Sequence, residues 1–297
     1  ESGINYFDTA YFYQGGKSEV ILGEVLAEGY RDRVKVATKL PLFLVHKTKD
    51  ITNLFETQLE RLKTDYIDYY LMHGLSDMKG WNRLKDLGIL EFIEQEKKRG
   101  RIINIGFSFH GNKDEFKAIV DDYGWDFCQI QYNYLDEYFQ AGREGLEYAA
   151  SKGLGIIIME PLRGGSLVGR IPKEVQKIWD TASVKRTPAE WALRWIWNHP
   201  QVNVVLSGMS RESDIEENVR TADEAEPNSL TEEELAIIEK VKETYKSLMR
   251  VGCTECRYCM PCPFGVDIPT AFKYYNSKHM FRLKRANYHY LAFAGGF

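Results

Sequence analysis

The chain has 297 residues, of which 44% are hydrophobic and 28% charged, and its formal net charge is −4. This composition is typical of a globular protein and excludes an intrinsically disordered one, which would combine few apolar residues with a large net charge. Charges of both signs are interspersed, so nothing indicates a nucleic-acid partner. No apolar run approaches the roughly 20 residues of a membrane helix, and no stretch near residue 1 resembles a signal peptide, so we expect a cytoplasmic protein.

Seven short runs rich in β-branched and aromatic residues alternate with stretches of helical periodicity. The predicted strands are 4–8, 34–39, 66–73, 102–108, 127–132, 155–159 and 202–206. The predicted helices are 16–28, one capped by Asp50, 81–98, 113–123, 143–152, one from Thr187-Pro188 to Trp197, 213–221 and 231–249.

This alternation predicts parallel βα units. Seven strands are close to the eight of a closed barrel, so the predicted fold class is an α/β TIM barrel, (β/α)₈, and we expect one further βα unit before Glu1. The alternative is an open doubly wound sheet. It is disfavoured because the first predicted strand leads into DTAYFYQGG at residues 8–16, which does not fit the glycine-rich dinucleotide fingerprint.

Polar residues stand at the predicted carboxyl ends of the strands, where a (β/α)₈ barrel carries its function. They are Asp8, Lys39, His73, Ser108, Gln129 or Gln131, and Glu160. Structural roles explain the first three as well: an Asp8–Lys39 ion pair and a hydrogen-bonded core histidine. Tyr13, five residues past Asp8, favours a functional interpretation, because its phenol would overhang the same edge of the sheet.

The chemistry of these four side chains is specific. A phenol has an ordinary pKa near 10 and is a poor proton donor at neutrality, but an adjacent cation lowers that pKa. Lys39 would supply the cation, Asp8 would anchor it, and His73 would orient an incoming oxygen. The pattern predicts a proton donor facing a polarised carbonyl.

The segments around these residues resemble the aldo/keto reductase family. DTAYFY at 8–13, followed by GGKSE at 15–19, resembles the family signature, and VATK at 36–39 and YYLMH at 69–73 resemble its lysine and histidine strands. IGFS at 105–108 and QIQY at 129–132 resemble its nicotinamide-facing segments. SGMS at 207–210, continuing to Glu217-Asn218, resembles its adenosine-phosphate end. The similarity runs in order from residue 4 to about residue 218.

The resemblance implies a (β/α)₈ barrel that binds NADP(H) and transfers a hydride between the nicotinamide and a carbonyl carbon. Tyr13 would be the general acid–base, Lys39 would lower its pKa, Asp8 would hold Lys39, and His73 would position the carbonyl. The implied cofactor contacts are Ser108 and Gln129 on the carboxamide, Met159 at the ring, and Ser207, Ser210, Arg211, Glu217 and Asn218 at the adenosine end.

Three positions depart from the family pattern. Phe109 and His110 follow the serine where the family often has Asn, and Met159 stands where many members stack an aromatic side chain on the nicotinamide. Asp214 lies near the place of the 2′-phosphate, which a carboxylate would repel, whereas Arg211 would attract it. NAD(H) therefore remains an alternative to NADP(H).

Four of the five cysteines lie within ten residues, at Cys253, Cys256, Cys259 and Cys262. Zinc sites usually pair two C-x₂-C steps across a longer loop, whereas closely spaced thiolates ending in Cys-Pro are typical of ferredoxin-type [4Fe–4S] ligation. The tail resembles the ferredoxin-type extension of one aldo/keto reductase subgroup. We expect a barrel over 1–249 and an incomplete iron–sulfur extension over 250–297, with Cys262 serving either this cluster or a second one.

These patterns together predict an NAD(P)H-dependent oxidoreductase that interconverts a carbonyl compound and an alcohol, with an appended [4Fe–4S] cluster. An external electron-transfer partner is one expectation, because hydride transfer moves two electrons and a cluster moves one. The alternatives are a non-catalytic nicotinamide-binding redox sensor and an iron–sulfur electron carrier. Neither a membrane nor a nucleic acid is an expected partner.

Overall fold

The computed structural model describes residues 2–253, 259–282, 288, 290 and 291. These residues form two compact units. The sheet unit takes in Glu1–Tyr132, Asp136–Pro161 and His199–Glu224, and the helical unit takes in Asn133–Leu135, Leu162–Asn198 and Ala225–Phe297. The expected division into residues 1–249 and 250–297 stays a prediction.

Within the described residues, seven parallel strands form the sheet of the sheet unit, in the order in which they occur along the chain. They are β1 (Tyr6–Asp8), β2 (Lys35–Pro41), β3 (Ile67–Leu75), β4 (Ile102–Phe109), β5 (Phe127–Gln131), β6 (Gly155–Met159) and β7 (Val204–Val205). A doubly wound sheet would reverse its strand order at a switch point, and this sheet does not. The predicted α/β class with a parallel, barrel-type strand order is confirmed, and the closed eight-stranded barrel stays a prediction.

Helices connect the strands and make up the helical unit. They are α1 (Ser18–Val25), α2 (Thr48–Leu62), α3 (Met78–Asp86), α4 (Ile89–Lys98), α5 (Lys113–Asp122), α6 (Gly142–Ser151), α7 (Lys173–Trp179), α8 (Pro188–Trp197), α9 (Glu212–Glu224), α10 (Glu232–Ser247) and α11 (Ile268–Met280). Of these, α7, α8, α10 and α11 belong to the helical unit. Within the described ranges, no helix is long and apolar enough to cross a membrane.

An apolar cluster inside the sheet explains where the polar site residues lie. One buried residue from each of four strands forms it: Ala37, Leu71, Phe127 and Ile157. Because successive side chains of a strand point to opposite faces, the residue two positions further along shares the face of each cluster member. Those residues are Lys39, His73, Gln129 and Met159. The sheet therefore directs the candidate site residues inward, one step nearer the carboxyl ends of the strands.

Helices α7 and α11 were not predicted from the sequence, and two of the predicted helices differ in detail. The helix predicted over 81–98 is divided into α3 and α4, because Gly88 adopts a left-handed backbone with φ +83° that ends the first helix. The N-cap of α2 is Lys47, not Asp50. The Asp50 carboxylate lies in the first turn, where it accepts hydrogen bonds from the backbone N–H groups of His46 and Lys47.

The helical unit has an aromatic interior of its own. Trp179 and Trp191 stack with ring centroids 5.1 Å apart, and the Arg186 guanidinium lies 4.7 Å above the Trp191 ring. Arg186 also forms an ion pair with Glu234. Two helices of this unit have side-chain caps: the Thr187 hydroxyl accepts a hydrogen bond from the first turn of α8, and Thr231 begins the capping box of α10.

Candidate functional site

A buried ion pair lies at the end of β1. The Lys39 side chain has no exposed surface, and its Nζ donates to Asp8 Oδ1 at 2.6 Å and to the Thr9 carbonyl at 2.8 Å. The second oxygen of the carboxylate, Asp8 Oδ2, is buried without a hydrogen-bond partner in the described structure. Burial lowers the pKa of Lys39 and raises the pKa of Asp8, whereas the attraction between the two charges opposes both shifts.

Tyr13 lies beside this pair. It follows β1 on a tight turn, in which Gln14 and Gly15 have left-handed backbones with φ +52° and +66°. Lys39 Nζ lies 5.0 Å from the centre of the Tyr13 ring. The His73 imidazole stands nearly perpendicular to that ring, with centroids 5.8 Å apart. The structure thus brings together the four predicted catalytic residues, Asp8 through its contact with Lys39.

Phe12 covers one face of His73. The two rings are parallel within 3°, with centroids 4.9 Å apart. Nδ1 of His73 is buried and has no hydrogen-bond partner within the described residues. Burial, together with the positive charge of Lys39 and an influence of His110, lowers the pKa of His73 to about 3. The imidazole is therefore neutral at physiological pH and can donate from only one of its nitrogens.

The electrostatics of Tyr13 differ from the simplest expectation. Burial raises the pKa of Tyr13 to about 12, and the negative charges of Asp8 and Glu160 add to the rise. The predicted lowering of this pKa by Lys39 is not observed, and desolvation of the phenolate is the largest cause of the shift. Tyr13 is consequently protonated at neutral pH, which is the state that a proton donor requires.

Ser108, Gln129 and Met159 lie on neighbouring strands of the same sheet. The Ser108 hydroxyl accepts a hydrogen bond from the Gly74 N–H at 2.8 Å. Gln129 Nε2 contacts the Met159 sulfur at 3.5 Å, and Gln129 Oε1 is buried without a partner in the described structure. A primary carboxamide, such as that of nicotinamide, carries the N–H donors that this acceptor lacks. The residues present therefore fit a nicotinamide cofactor.

The predicted adenosine-binding residues gather around the start of α9. Asn218 Nδ2 donates to the Ser207 hydroxyl at 2.9 Å. Arg211 forms an ion pair with Asp214, with Nη2 to Oδ1 at 2.6 Å, and the pair holds the pKa of Asp214 below its ordinary value. Arg211, which was expected to attract a 2′-phosphate, and Asp214, which was expected to repel it, thus neutralise each other. Ser210 and Glu217 belong to the same segment, the first exposed and the second half-buried.

The cysteine segment is only partly described. Cys253 and Cys262 are half-buried and Cys259 is exposed, whereas Cys256 lies outside the described residues. Among the residues that the structure does describe, no group of three or more histidine, cysteine or acidic side chains is arranged to hold a metal ion. The predicted iron–sulfur ligation stays a prediction. Cys128 is buried in β5, and burial raises its thiol pKa to about 12, as expected of an inert thiol.

Two neighbours of the site were not found from the sequence. Phe12 is one residue of the motif at 8–13. A large apolar residue on the loop next to Tyr13 is a signal that could have indicated a side chain covering the site. The Thr9 carbonyl that accepts from Lys39 is a backbone group, so no residue type could have indicated it.

Comparison with known proteins agrees with this geometry. A model of the aldo/keto reductase family matches residues 1–243. L-galactose dehydrogenase of Arabidopsis thaliana is 28% identical over 279 residues, covering 83% of this chain and 82% of the relative. NADH-specific methylglyoxal reductase of Escherichia coli (strain K12) is 26% identical over 259 residues, covering 73% of this chain and 78% of the relative.

Among solved structures, the holo form of an aldo-keto reductase from Bacillus halodurans superimposes with a TM-score of 0.65 at 28% identity, covering 81% of this chain and 82% of that one. The match covers most of both chains, so it concerns the architecture as a whole and not an isolated motif. The chain therefore belongs to the aldo/keto reductase family and is an NAD(P)-dependent oxidoreductase.

Proposed function

We propose that this protein interconverts an aldehyde or ketone with the corresponding alcohol, and that Tyr13 is the residue that exchanges the proton. One observation carries the proposal: the Tyr13 ring lies next to both the buried Lys39 ammonium and the His73 imidazole. Reduced nicotinamide, when bound, supplies the hydride that the carbonyl carbon accepts. Ser108 and Gln129 would hold its carboxamide, and Met159 would contact its ring.

The protonation states assign the two donors different roles. In the reducing direction, the Tyr13 hydroxyl gives its proton to the carbonyl oxygen, which becomes the alcohol oxygen. His73 is neutral, so its N–H orients the carbonyl oxygen and does not act as the acid. The Lys39 charge stabilises the phenolate that the transfer leaves behind, and Asp8 fixes the position of that charge.

The cofactor we propose is NADP(H), with NAD(H) as the alternative. Arg211 is the residue suited to a 2′-phosphate, but the phosphate has to compete with Asp214 for the guanidinium. The adenosine end is assigned to Ser207, Ser210, Arg211, Glu217 and Asn218. Dissociation constants for NADPH and NADH, measured on the same preparation, decide between the two cofactors.

A substitution of Tyr13 tests the catalytic proposal. Tyr13→Phe removes the proton donor and keeps the ring, so we expect kcat for carbonyl reduction to fall by about 100-fold or more while nucleotide affinity is retained. Methylglyoxal and L-galactose, which the names of two relatives supply, are the first substrates to assay in the reducing and oxidising directions. Tyr138→Phe is the control, because the Tyr138 side chain is 78% exposed. A Tyr13→Phe rate within twofold of the parent would refute the assignment.

We further propose that Cys253, Cys256, Cys259 and Cys262 bind a [4Fe–4S] cluster that exchanges electrons with an external partner. The three-residue spacing of the thiols and the proline after the last one support this assignment. Anaerobic purification should give about four irons and four sulfides per chain. Cys256→Ser should lower this content, and Cys128→Ser, which alters the buried thiol of β5, should not. Zinc in place of iron would contradict the assignment.

A further inference from the structure

A buried carboxylate lies behind the site, at the start of α1. Glu19 has no exposed surface. Its Oε1 accepts hydrogen bonds from the Thr38 hydroxyl at 2.6 Å and from Gln58 Nε2 at 2.7 Å. Its Oε2 accepts from Arg61 Nη1 at 3.1 Å. Residues from α1, β2 and α2 thus meet at the Glu19 side chain.

Two arms of this network end on the backbone of the site. Gln58 Nε2 also donates to the carbonyl of Lys39 at 3.0 Å. Arg61 Nη1 also donates to the carbonyl of Tyr11 at 3.0 Å, and its guanidinium stacks 4.1 Å above the Tyr11 ring. Gln58 therefore fixes the backbone of Lys39, and Arg61 fixes the turn two residues before Tyr13.

The carbonyl oxygen of the Gln58 side chain also has a partner. The Tyr70 hydroxyl donates to Gln58 Oε1 at 2.9 Å, which fixes the orientation of that amide. Such a network is rigid because losing one member leaves buried partners without hydrogen bonds. Stability alone does not require a buried carboxylate, since apolar packing of equal volume is often as stable. The contacts to the site backbone offer a functional reason for it.

The helices that carry the network are in close contact. A Cβ on Gly23 of α1 would lie 2.1 Å from the carbonyl oxygen of Arg61 in α2. A second link from α1 reaches the same lysine, because the Thr9 hydroxyl donates to Ser18 Oγ at 2.8 Å while the Thr9 carbonyl accepts from Lys39. The start of α1 is therefore fixed to the site through both Ser18 and Glu19.

We propose that Glu19 is a positioning residue for hydride-transfer catalysis, setting the placement of Lys39 relative to Tyr13 through Gln58 and Arg61. The proposal rests on the function proposed above. Glu19 touches neither reacting atom, so its effect is on the geometry of the proton donor. A displacement of about 1 Å at a reacting group can lower a rate by about 100-fold.

Glu19→Gln is the main test, because it keeps the shape and removes the charge that Thr38, Gln58 and Arg61 share. We expect kcat for carbonyl reduction to fall at least tenfold, while KM for the carbonyl substrate and the affinity for the nucleotide change less than threefold. Glu96→Gln is the matched control. Glu96 is also buried, 2% exposed, and paired with Arg99 and Arg101. It should lose melting temperature with kcat within twofold of the parent.

A double variant distinguishes positioning from general destabilisation. If Glu19 acts through Tyr13, then Glu19→Gln added to Tyr13→Phe should leave the residual rate unchanged within twofold. A further fall equal to that of the single variant would overturn the proposal, as would a Glu19→Gln enzyme with parental kcat. If Glu19→Gln does not fold, the same criteria apply to Thr38→Val, which removes one donor to Glu19.

The outcomes also separate this inference from the function on which it rests. A Tyr13→Phe enzyme of unchanged rate would refute the proposed function and with it the role of Glu19. A Tyr13→Phe enzyme that is inactive, beside a Glu19→Gln enzyme of parental kcat, would refute the role of Glu19 alone.

Discussion

The Asp8–Lys39 pair admits two explanations, structural and catalytic, that a double-mutant cycle separates. Asp8→Asn leaves a fully buried ammonium with the Thr9 carbonyl as its remaining described partner. Lys39→Met leaves the largely buried Asp8 carboxylate, whose side chain is 13% exposed, without its cation. The double variant removes both charges and keeps the approximate volume of both side chains, so it relieves the electrostatic defect of each single variant.

The burial of the pair sets the magnitude. Removing one partner of a buried ion pair costs about 3–5 kcal/mol, so we expect each single variant to lose that much free energy of unfolding. The double variant should lose only about 1–3 kcal/mol, mostly because the amide that replaces the Asp8 carboxylate is imperfectly hydrogen-bonded. The coupling energy between the two sites is then at least about 3 kcal/mol. All three variants should lose about 100-fold or more in kcat, because none keeps a cation beside Tyr13 in its native position.

Chemical denaturation at neutral pH gives the unfolding free energies, and the absorbance of reduced nicotinamide gives the rates. The decisive variant is the double one. Recovered stability without recovered activity means that the charge of Lys39 serves the chemistry. Recovered activity would refute our reasoning and leave a structural ion pair, and additive losses of stability would show that the two charges are not energetically coupled.

Three further predictions follow from other parts of the site. The pKa of His73 is lowered to about 3 and that of Tyr13 is raised to about 12, so kcat for carbonyl reduction should be constant from about pH 5 to about pH 9. A change in kcat with a midpoint near pH 6.5 that is absent from His73→Gln would contradict this. Asp214→Asn releases Arg211 from its exposed ion pair, so the Kd of NADPH should fall by about twofold to fivefold while that of NADH stays unchanged, as titration would show. Gly23→Ala places a Cβ 2.1 Å from a carbonyl oxygen of α2, so it should lower the free energy of unfolding, measured by denaturation, by at least about 2 kcal/mol. The control Gly124→Ala places its Cβ in open space and should lower it by less than about 1 kcal/mol.

The sheet could be predicted because its pattern is strong and local. All seven predicted strands are present, with ends within two residues of the predictions. The convergence of Lys39, His73 and Tyr13 was predictable for the same reason, since parallel strands in chain order bring their carboxyl ends to one edge. Residue type and position along the strand were sufficient here, and no contact had to be known.

The parts that the sequence did not predict depend on distance and desolvation. The periodicity over 81–98 is continuous, and only the backbone of Gly88 divides the helix. The nearness of Lys39 to Tyr13 was foreseen, but the pKa of that phenol depends on how completely water is excluded, which residue types do not encode. The ion pair between Arg211 and Asp214 likewise depends on the geometry of the first turn of α9, which the sequence alone does not show.

Burial shifts the pKa values of Tyr13 and His73 in opposite directions, with the same consequence for both side chains. It raises the pKa of Tyr13 to about 12 and lowers the pKa of His73 to about 3, so both are uncharged at neutrality. Both can then donate hydrogen bonds to a carbonyl oxygen, and neither needs a change of protonation before reduction. Alcohol oxidation instead needs the phenolate, which at pH 7 is about one molecule in 10⁵ for a pKa of about 12. The buried Lys39 charge is the group placed to offset that deficit, which is why its position relative to Tyr13 matters to the rate in both directions.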